Sequence, residues 1–285
     1  MSLMTTAPDL TAFQSWLDHR DTATELLSVV PAHGLAATLN LPAASVPSEA
    51  LPPLWHWLHF LDRTPSAQLA DDGSPRMRAL LPPIPLDQIM WAGSEIDFIR
   101  PLRLNEAASR QSRILDMTGK SGSRGPMVFL TTEHRVEQRG EVAIVERNRA
   151  VFLGAAAPAA APAVFSRRPA ERERTWQVDE AVLFRFSALT FNSHRIHYDL
   201  PYATQVGGYP ALVVHGPLQA ILLAETFREW FPDRAVSRIE FRAKGPLFCG
   251  ESLVVCGAPR GHGSYALWTV SPRAECAMEC VVSHG

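Results

Sequence analysis

FRFSALTFNSHRIHYDLPYATQVGGYPALVVHGPLQAILL, residues 184–223, is the stretch around which the chain is organised. Within eight positions it gathers Asn192, His194, Arg195, His197, Tyr198 and Asp199, and it closes with His215, Gly216 and Pro217 at the start of an apolar run. A polar cluster between two apolar flanks is not the composition of a solvated loop, so it is the candidate working site. Pro217 suits the first turn of a helix, where its missing N–H costs nothing. Leu218, Ile221 and Leu222 then recur at helical spacing and predict an apolar stripe, with Pro232 ending the helix beyond Trp230.

The rest of the chain is read outward from this stretch. At 285 residues, with 46% hydrophobic and 20% charged residues and a formal net charge of -2, the composition is that of a globular protein. It carries neither a nucleic-acid footprint nor the bias of a disordered chain. No run approaches the ~20 apolar residues of a membrane span, and the N-terminus lacks the features of a secretory signal, so a cytoplasmic protein is expected. The four cysteines, Cys249, Cys256, Cys276 and Cys280, alternate with apolar neighbours and form no C-x-x-C pair. They read as buried free thiols, with no metal site.

Segments 90–99, 108–117, 127–138 and 142–153 alternate apolar and polar residues and predict antiparallel strands, with extended structure again at 175–178 and three or four strands after the helix. Helices are predicted over 10–19 and 30–39. LPPLWHWLHF, residues 51–60, alternates Trp55, Trp57 and His59 and reads as an extended segment with one aromatic face. Its function is left between a flap over the core and a wall of an apolar pocket. Between the second and third strands, TGKSGSRG (118–125) places Lys120 and Arg124 on a turn; a phosphate contact and a solvated hairpin both fit it. GAAAPAAAPAVFSRRPA, residues 154–170, has linker composition. It divides the chain into 1–153 and 171–285.

An internal repeat relates the two parts. SEIDFIRPLRLNE (94–106) is echoed by SRIEFRAKGPLFCGE (237–251), with the opening S-x-I-[DE]-F shared and a Pro-Leu and closing Glu in the same order. Each copy begins a run of strands, so the halves read as two versions of one unit.

LTFNSHRIHYD followed by GYPALVVHGPLQA resembles the MaoC-like enoyl-thioester hydratases. Together with LPPIPLDQIMWAG and EIDFIRPL, the chain is similar to the type 2 hydroxyacyl-thioester dehydratases and the mesaconyl-C4-CoA (itaconyl-CoA) hydratase group. The resemblance implies an α+β double hotdog, two curved antiparallel sheets each wrapped around a central helix. The N-terminal half would serve substrate and CoA binding, and the C-terminal half catalysis. In the family motif D-x-N-P-x-H, the final His falls on His197. The acid position is held by Asn192, the Asn position by His194 and the Pro position by Arg195, so a shared Asp–His water activation does not carry over unchanged.

The implied reaction is the reversible hydration of an enoyl-CoA, such as a C4–C5 dicarboxylic acyl-CoA, with CoA as part of the substrate and no cofactor. It requires a base for the attacking water, an acid at the α carbon and donors for the enolate oxygen. His197 is the candidate base. Asn192 would orient the water, Gly216 would supply a backbone donor at the helix start, and Asp199 or His194 would assist. Arg195 is the candidate partner of a free acyl carboxylate. His194, Tyr198 and His215 are further substrate contacts, with Trp55, Trp57 and Trp91 as tunnel walls and Lys120 and Arg124 as partners of the CoA phosphates. A fatty-acid-type 3-hydroxyacyl-thioester dehydratase, a thioesterase and a non-catalytic acyl-CoA binder stay open as alternatives. Exposed sheet edges allow a homodimer.

Overall fold

The computed structural model describes residues 8–42, 45, 48–77, 80–86, 88–122, 125–154, 168–272 and 276–285. The N-terminal half contributes β1 (Arg20–Leu26), α1 (Val29–Thr38), β2 (Gln88–Phe98), β3 (Ala107–Gly122), β4 (Gly125–Gln138) and β5 (Glu141–Leu153). The C-terminal half contributes β6 (Arg172–Gln177), α2 (Glu180–Leu189), α3 (Leu200–Gln205), α4 (Gly216–Trp230), β7 (Val236–Ala243), β8 (Ser252–Gly261), β9 (Ser264–Val270) and β10 (Cys276–His284). The linker-like stretch falls largely on 155–167, outside the described residues.

The two expected sheets meet edge to edge. All ten strands form one antiparallel sheet in the order β1-β3-β4-β5-β2-β7-β10-β9-β8-β6. Reversing the order and exchanging each strand for its counterpart five places on returns the same list, the signature of a two-fold relation between the halves. The repeat seen in the sequence lies on that axis. Ile96 of β2 pairs with its repeat equivalent Ile239 of β7, flanked symmetrically by Glu95↔Glu240 and Asp97↔Arg238. The central pair is apolar and fully buried (0% and 1% exposed). Outside it Arg238 bridges to Glu95 at 2.7 Å and to Asp97 at 2.6 Å, tying the halves together at the seam.

The helices repeat as well. α1 is capped by Ser28, whose side chain accepts from the Val30 N–H, and α2 by Asp179, which accepts from the Val182 N–H. Such caps satisfy donors that have no intrahelical acceptor. Each helix runs ten residues and is followed, one residue after its C-cap, by a left-handed residue, Asn40 (φ 51°) or Phe191 (φ 50°). The two helices pack against one another. One hydrophobic core runs through both halves, from Leu35 and Leu54 to Phe227 and Val282.

The symmetry fails at the central helix. In the C-terminal half, α4 is buried on all sides, not along one stripe: Leu218, Ile221, Leu222, Leu223 and Phe227 are all 0% exposed. Each such side chain contributes about 2 kcal/mol by burial. In the N-terminal half, the described residues between α1 and β2 form no α-helix; they hold 3-10 turns at Trp55–Leu58 and Ser66–Gln68, the first of them where an extended segment was expected. The reason is local. Pro52 and Pro53 lead into Leu54, which is left-handed (φ 71°), and the chain curls inward so that Trp55 is completely buried. The indole N–H of Trp55 donates to Glu225 of α4 at 2.9 Å, fixing the turn against the long helix. The expected N-terminal helix over 10–19 is likewise a 3-10 helix, Thr11–Asp18, with no fully buried residue. No helix among the described residues is long and apolar enough to cross a membrane.

Candidate active site

Where the N-terminal half has a short turn in place of a long helix, the concave face of its sheet is left uncovered, and a cavity of about 870 Å³ opens there. Its walls come from both halves: Trp57, Trp91, Arg110, His134 and Glu146 on one side, and Phe186, Ser187, Asn192, His194, Tyr198 and Pro217 on the other. The polar cluster and the start of α4 therefore border one chamber. His197 lies immediately behind this lining and is 7% exposed.

The loop carrying the cluster is held from three directions. Asn192 Oδ1 accepts from the His194 N–H at 3.0 Å, and the Asn192 N–H donates to the Ser187 carbonyl at 2.8 Å. From the N-terminal half, the carbonyl of Asp72 accepts from the Arg195 N–H at 2.8 Å, and that of Gly73 accepts from Ser193 Oγ at 2.6 Å. Gly73 has φ +82°, and a Cβ there would lie 1.9 Å from the Ser193 carbonyl oxygen, so only glycine allows this approach. On the third side the Val213 N–H donates to the Ile196 carbonyl at 2.9 Å.

Val213 also sets the chemistry of His197. Its carbonyl lies 2.7 Å from His197 Nδ1. A carbonyl only accepts, so Nδ1 carries the proton and the neutral ring keeps its lone pair on Nε2. Burial lowers the pKa of His197 to about 4, against the smaller opposing effect of the Val213 hydrogen bond. The ring is therefore a neutral base at physiological pH. His215 stacks on it at 3.7 Å between centroids with the planes 21° apart, and His194 stands edge-on at 5.5 Å. His215 is 1% exposed, shares a 2.9 Å hydrogen bond with Ser187 Oγ, and is held well below the usual imidazole pKa by burial and then by His197.

Gly216 opens α4 directly after His215. A Cβ there would sit 3.0 Å from Trp91 Cε3, so glycine lets the indole close over the helix start. The N–H groups of Gly216 and Leu218 lie in the first turn, where no intrahelical acceptor exists, and Pro217 brings none.

Other expected site residues have different tasks. Arg195 grips Asp199 through Nε at 2.9 Å and Nη2 at 2.8 Å and lies 4.2 Å over the Tyr202 ring. Asp199 is also the N-cap of α3, accepting from the Tyr202 N–H at 3.0 Å. Both are thus engaged in holding the loop, and neither lines the cavity. Trp55 is core, not wall; Trp57 and Trp91 do line the chamber, edge to face at 5.9 Å. His215 supports His197 from behind and does not line the cavity. Tyr198 does, and is half exposed. Lys120 lies on the surface with Nζ 5.0 Å from the Phe129 ring, away from the cavity lining, and Arg124 is outside the described residues.

Sequence reasoning missed the opposite wall. His56 Nε2 meets Glu146 at 2.8 Å, Trp57 donates to both oxygens of the same carboxylate at 3.1 Å, and His134 and Arg110 stand beside them. Glu146 is buried; burial raises its pKa, but His56, His134 and Trp57 together outweigh this and hold it at about 2. The signal was a His or Glu on the inward register of alternating strands, where an apolar residue is the rule. No group of residues suited to a metal ion occurs among the described residues.

A continuous sheet of two five-stranded units packed around a buried helix is the architecture of a double hotdog. A conserved hypothetical protein from Mycobacterium tuberculosis with a double hotdog fold superposes with a TM-score of 0.59 over 93% of this chain and 95% of its own, at 14% identity. The family model described as hydroxyacyl-thioester dehydratase type 2 matches residues 54–249. A mesaconyl-C(4)-CoA hydratase from Chloroflexus aurantiacus is 41% identical over 239 residues, covering 83% of this chain and 85% of the relative. The mitochondrial hydroxyacyl-thioester dehydratase type 2 of Schizosaccharomyces pombe is 28% identical, covering 84% and 90%. The chain belongs to the hydroxyacyl-thioester dehydratase type 2 family.

Proposed function

We propose that the protein is a hydro-lyase that reversibly hydrates the conjugated double bond of an enoyl-CoA, with a short dicarboxylic acyl group of the mesaconyl or itaconyl kind as substrate. The observation that carries this reading is the neutral, buried imidazole of His197, its tautomer set by Val213, stacked on His215, the residue that precedes the first turn of α4.

His197 Nε2 takes a proton from water as the oxygen attacks the β carbon. The electron pair of the double bond moves towards the carbonyl, and the enolate oxygen is received by the N–H of Gly216. One such donor is worth ~3 kcal/mol in the transition state. The imidazolium then returns the proton to the α carbon. Asn192 replaces the family's carboxylate and orients the water through its amide, leaving proton transfer to His197 alone. The stacked His215, kept neutral, places no second charge against the imidazolium. CoA enters as part of the substrate, and no cofactor is required. The open strands β1 and β6 at the sheet ends suit a homodimer, and the expected compartment is the cytoplasm.

The test follows loss of enoyl-thioester absorbance with mesaconyl-C4-CoA, itaconyl-CoA and crotonyl-CoA. Turnover with preference for the dicarboxylic esters supports the reading. Preference for the straight chain favours the fatty-acid-type dehydratase, and turnover of none contradicts hydration.

A further inference from the structure

Residues facing the cluster across the cavity belong to the N-terminal half and have no part in the proton transfers above. Among the described residues Arg110 is the only arginine or lysine that lines the cavity. It projects from β3, 26% exposed at its side chain. One Nη1 hydrogen bond goes to the Phe60 carbonyl at 3.0 Å, and the guanidinium lies 5.5 Å over the Phe60 ring. Its Nε–H is buried with no acceptor. An unmet buried donor is unfavourable, and an acceptor on a bound ligand would relieve it.

The carboxylates nearby are committed elsewhere. Glu146 is taken by His56 and Trp57. Glu25 receives the Phe60 N–H at 3.0 Å and His59 at 3.1 Å, and stands 3.6 Å from Arg63. Asp62 accepts from Thr64 at 2.6 Å. Only Asp21 pairs with Arg110, at a long 3.8 Å. Beside Arg110, His56 Nδ1 and His59 Nε2 are also buried without partners, and His134 is bonded through Nδ1 to Ser112 Oγ at 2.8 Å. A cation with an unpartnered buried donor, set among imidazoles at a cavity wall, is suited to receive a carboxylate.

We infer that Arg110, supported by His56 and His134, binds the free carboxylate of the acyl group and makes the enzyme selective for dicarboxylic thioesters. This rests on the acyl-CoA reading of the same cavity. It replaces Arg195, which is bound to Asp199, as the cation of that subsite.

The experiment measures calorimetric binding of saturated ligands that cannot react, succinyl-CoA, glutaryl-CoA and butyryl-CoA, to the wild-type protein and to Arg110→Met. Methionine keeps the length and apolar stem while removing the charge. The expected result is at least a tenfold preference of the wild type for a carboxylated ligand, reduced to within twofold in Arg110→Met. Retained binding of butyryl-CoA and an unchanged Tm would show that the variant is folded. No preference in the wild type, or one that survives in Arg110→Met, would overturn the inference. Failure of all three to bind would contradict the acyl-CoA reading itself. Should Arg110→Met not fold, Arg110→Lys is the second variant: weakened discrimination by the point charge is expected, and unchanged discrimination counts against the inference.

Discussion

The imidazoles of His197 and His215 stack at 3.7 Å, one hydrogen-bonded to a backbone carbonyl and the other to a serine hydroxyl. Two rings this close disfavour double protonation, and their burial disfavours even one proton at rest. The pair thus stores a neutral base behind the cavity wall. It also makes the fold sensitive to acid, because the unfolded chain binds protons that the native site refuses.

The sign of that sensitivity follows from the direction of the shifts. His197 has a folded pKa of about 4, below the usual imidazole value of about 6.5, and His215, His134 and His59 are shifted downward as well, by burial above all. Between these limits the unfolded chain binds more protons, so stability is full above pH 6.5 and is lost as pH falls towards 4. For His197 alone the loss reaches about 3 kcal/mol. Denaturant midpoints measured from pH 7.5 to 4.5 should fall steadily, and His197→Phe should fall less steeply than wild type.

Asp199 separates a loop-holding role from a catalytic one. It caps α3 and anchors Arg195, so Asp199→Ala is expected to lower stability by about 1–2 kcal/mol. Its kcat at a temperature well below the midpoint should stay within about fivefold of wild type, while removal of a proton-transfer group would cost about 100-fold or more. Thermal melts and initial rates on the same preparation make the distinction.

Gly216→Ala tests the contact between helix start and indole. The new methyl would meet Trp91, which is itself confined by Phe241 at 4.6 Å and Trp57 at 5.9 Å. The ring must move towards the cavity, at a cost of about 1–3 kcal/mol. We expect kcat/KM to fall about tenfold or more, and indole fluorescence to shift as the ring moves. An unchanged kcat/KM would show that the helix start tolerates a side chain.

Much of this arrangement was legible in the residues. His197, Asn192 and Gly216 stand within one short stretch; of these Asn192 lines the chamber, His197 lies behind its wall, and Gly216 precedes Pro217, which lines it. The strands read from alternation, and the S-x-I-[DE]-F repeat led to the Ile96–Ile239 axis. What could not be read was the fate of LPPLWHWLHF. Its alternation is real, yet burial of Trp55 against Glu225 decides its shape, and that contact spans 170 positions. Arg110, His134 and Glu146 are likewise brought together only by the register of β3, β4 and β5. Arg195 looked free because its partner Asp199 was itself a site candidate.

The most direct measurement is the rate of hydration of mesaconyl-C4-CoA by His197→Ala beside the wild type, with acyl-CoA affinity measured in parallel. With no carboxylate at position 192 to share proton transfer, kcat should drop about 10²- to 10⁴-fold while binding changes little. A variant that binds normally and turns over within threefold of wild type would contradict the assignment of His197 as the base.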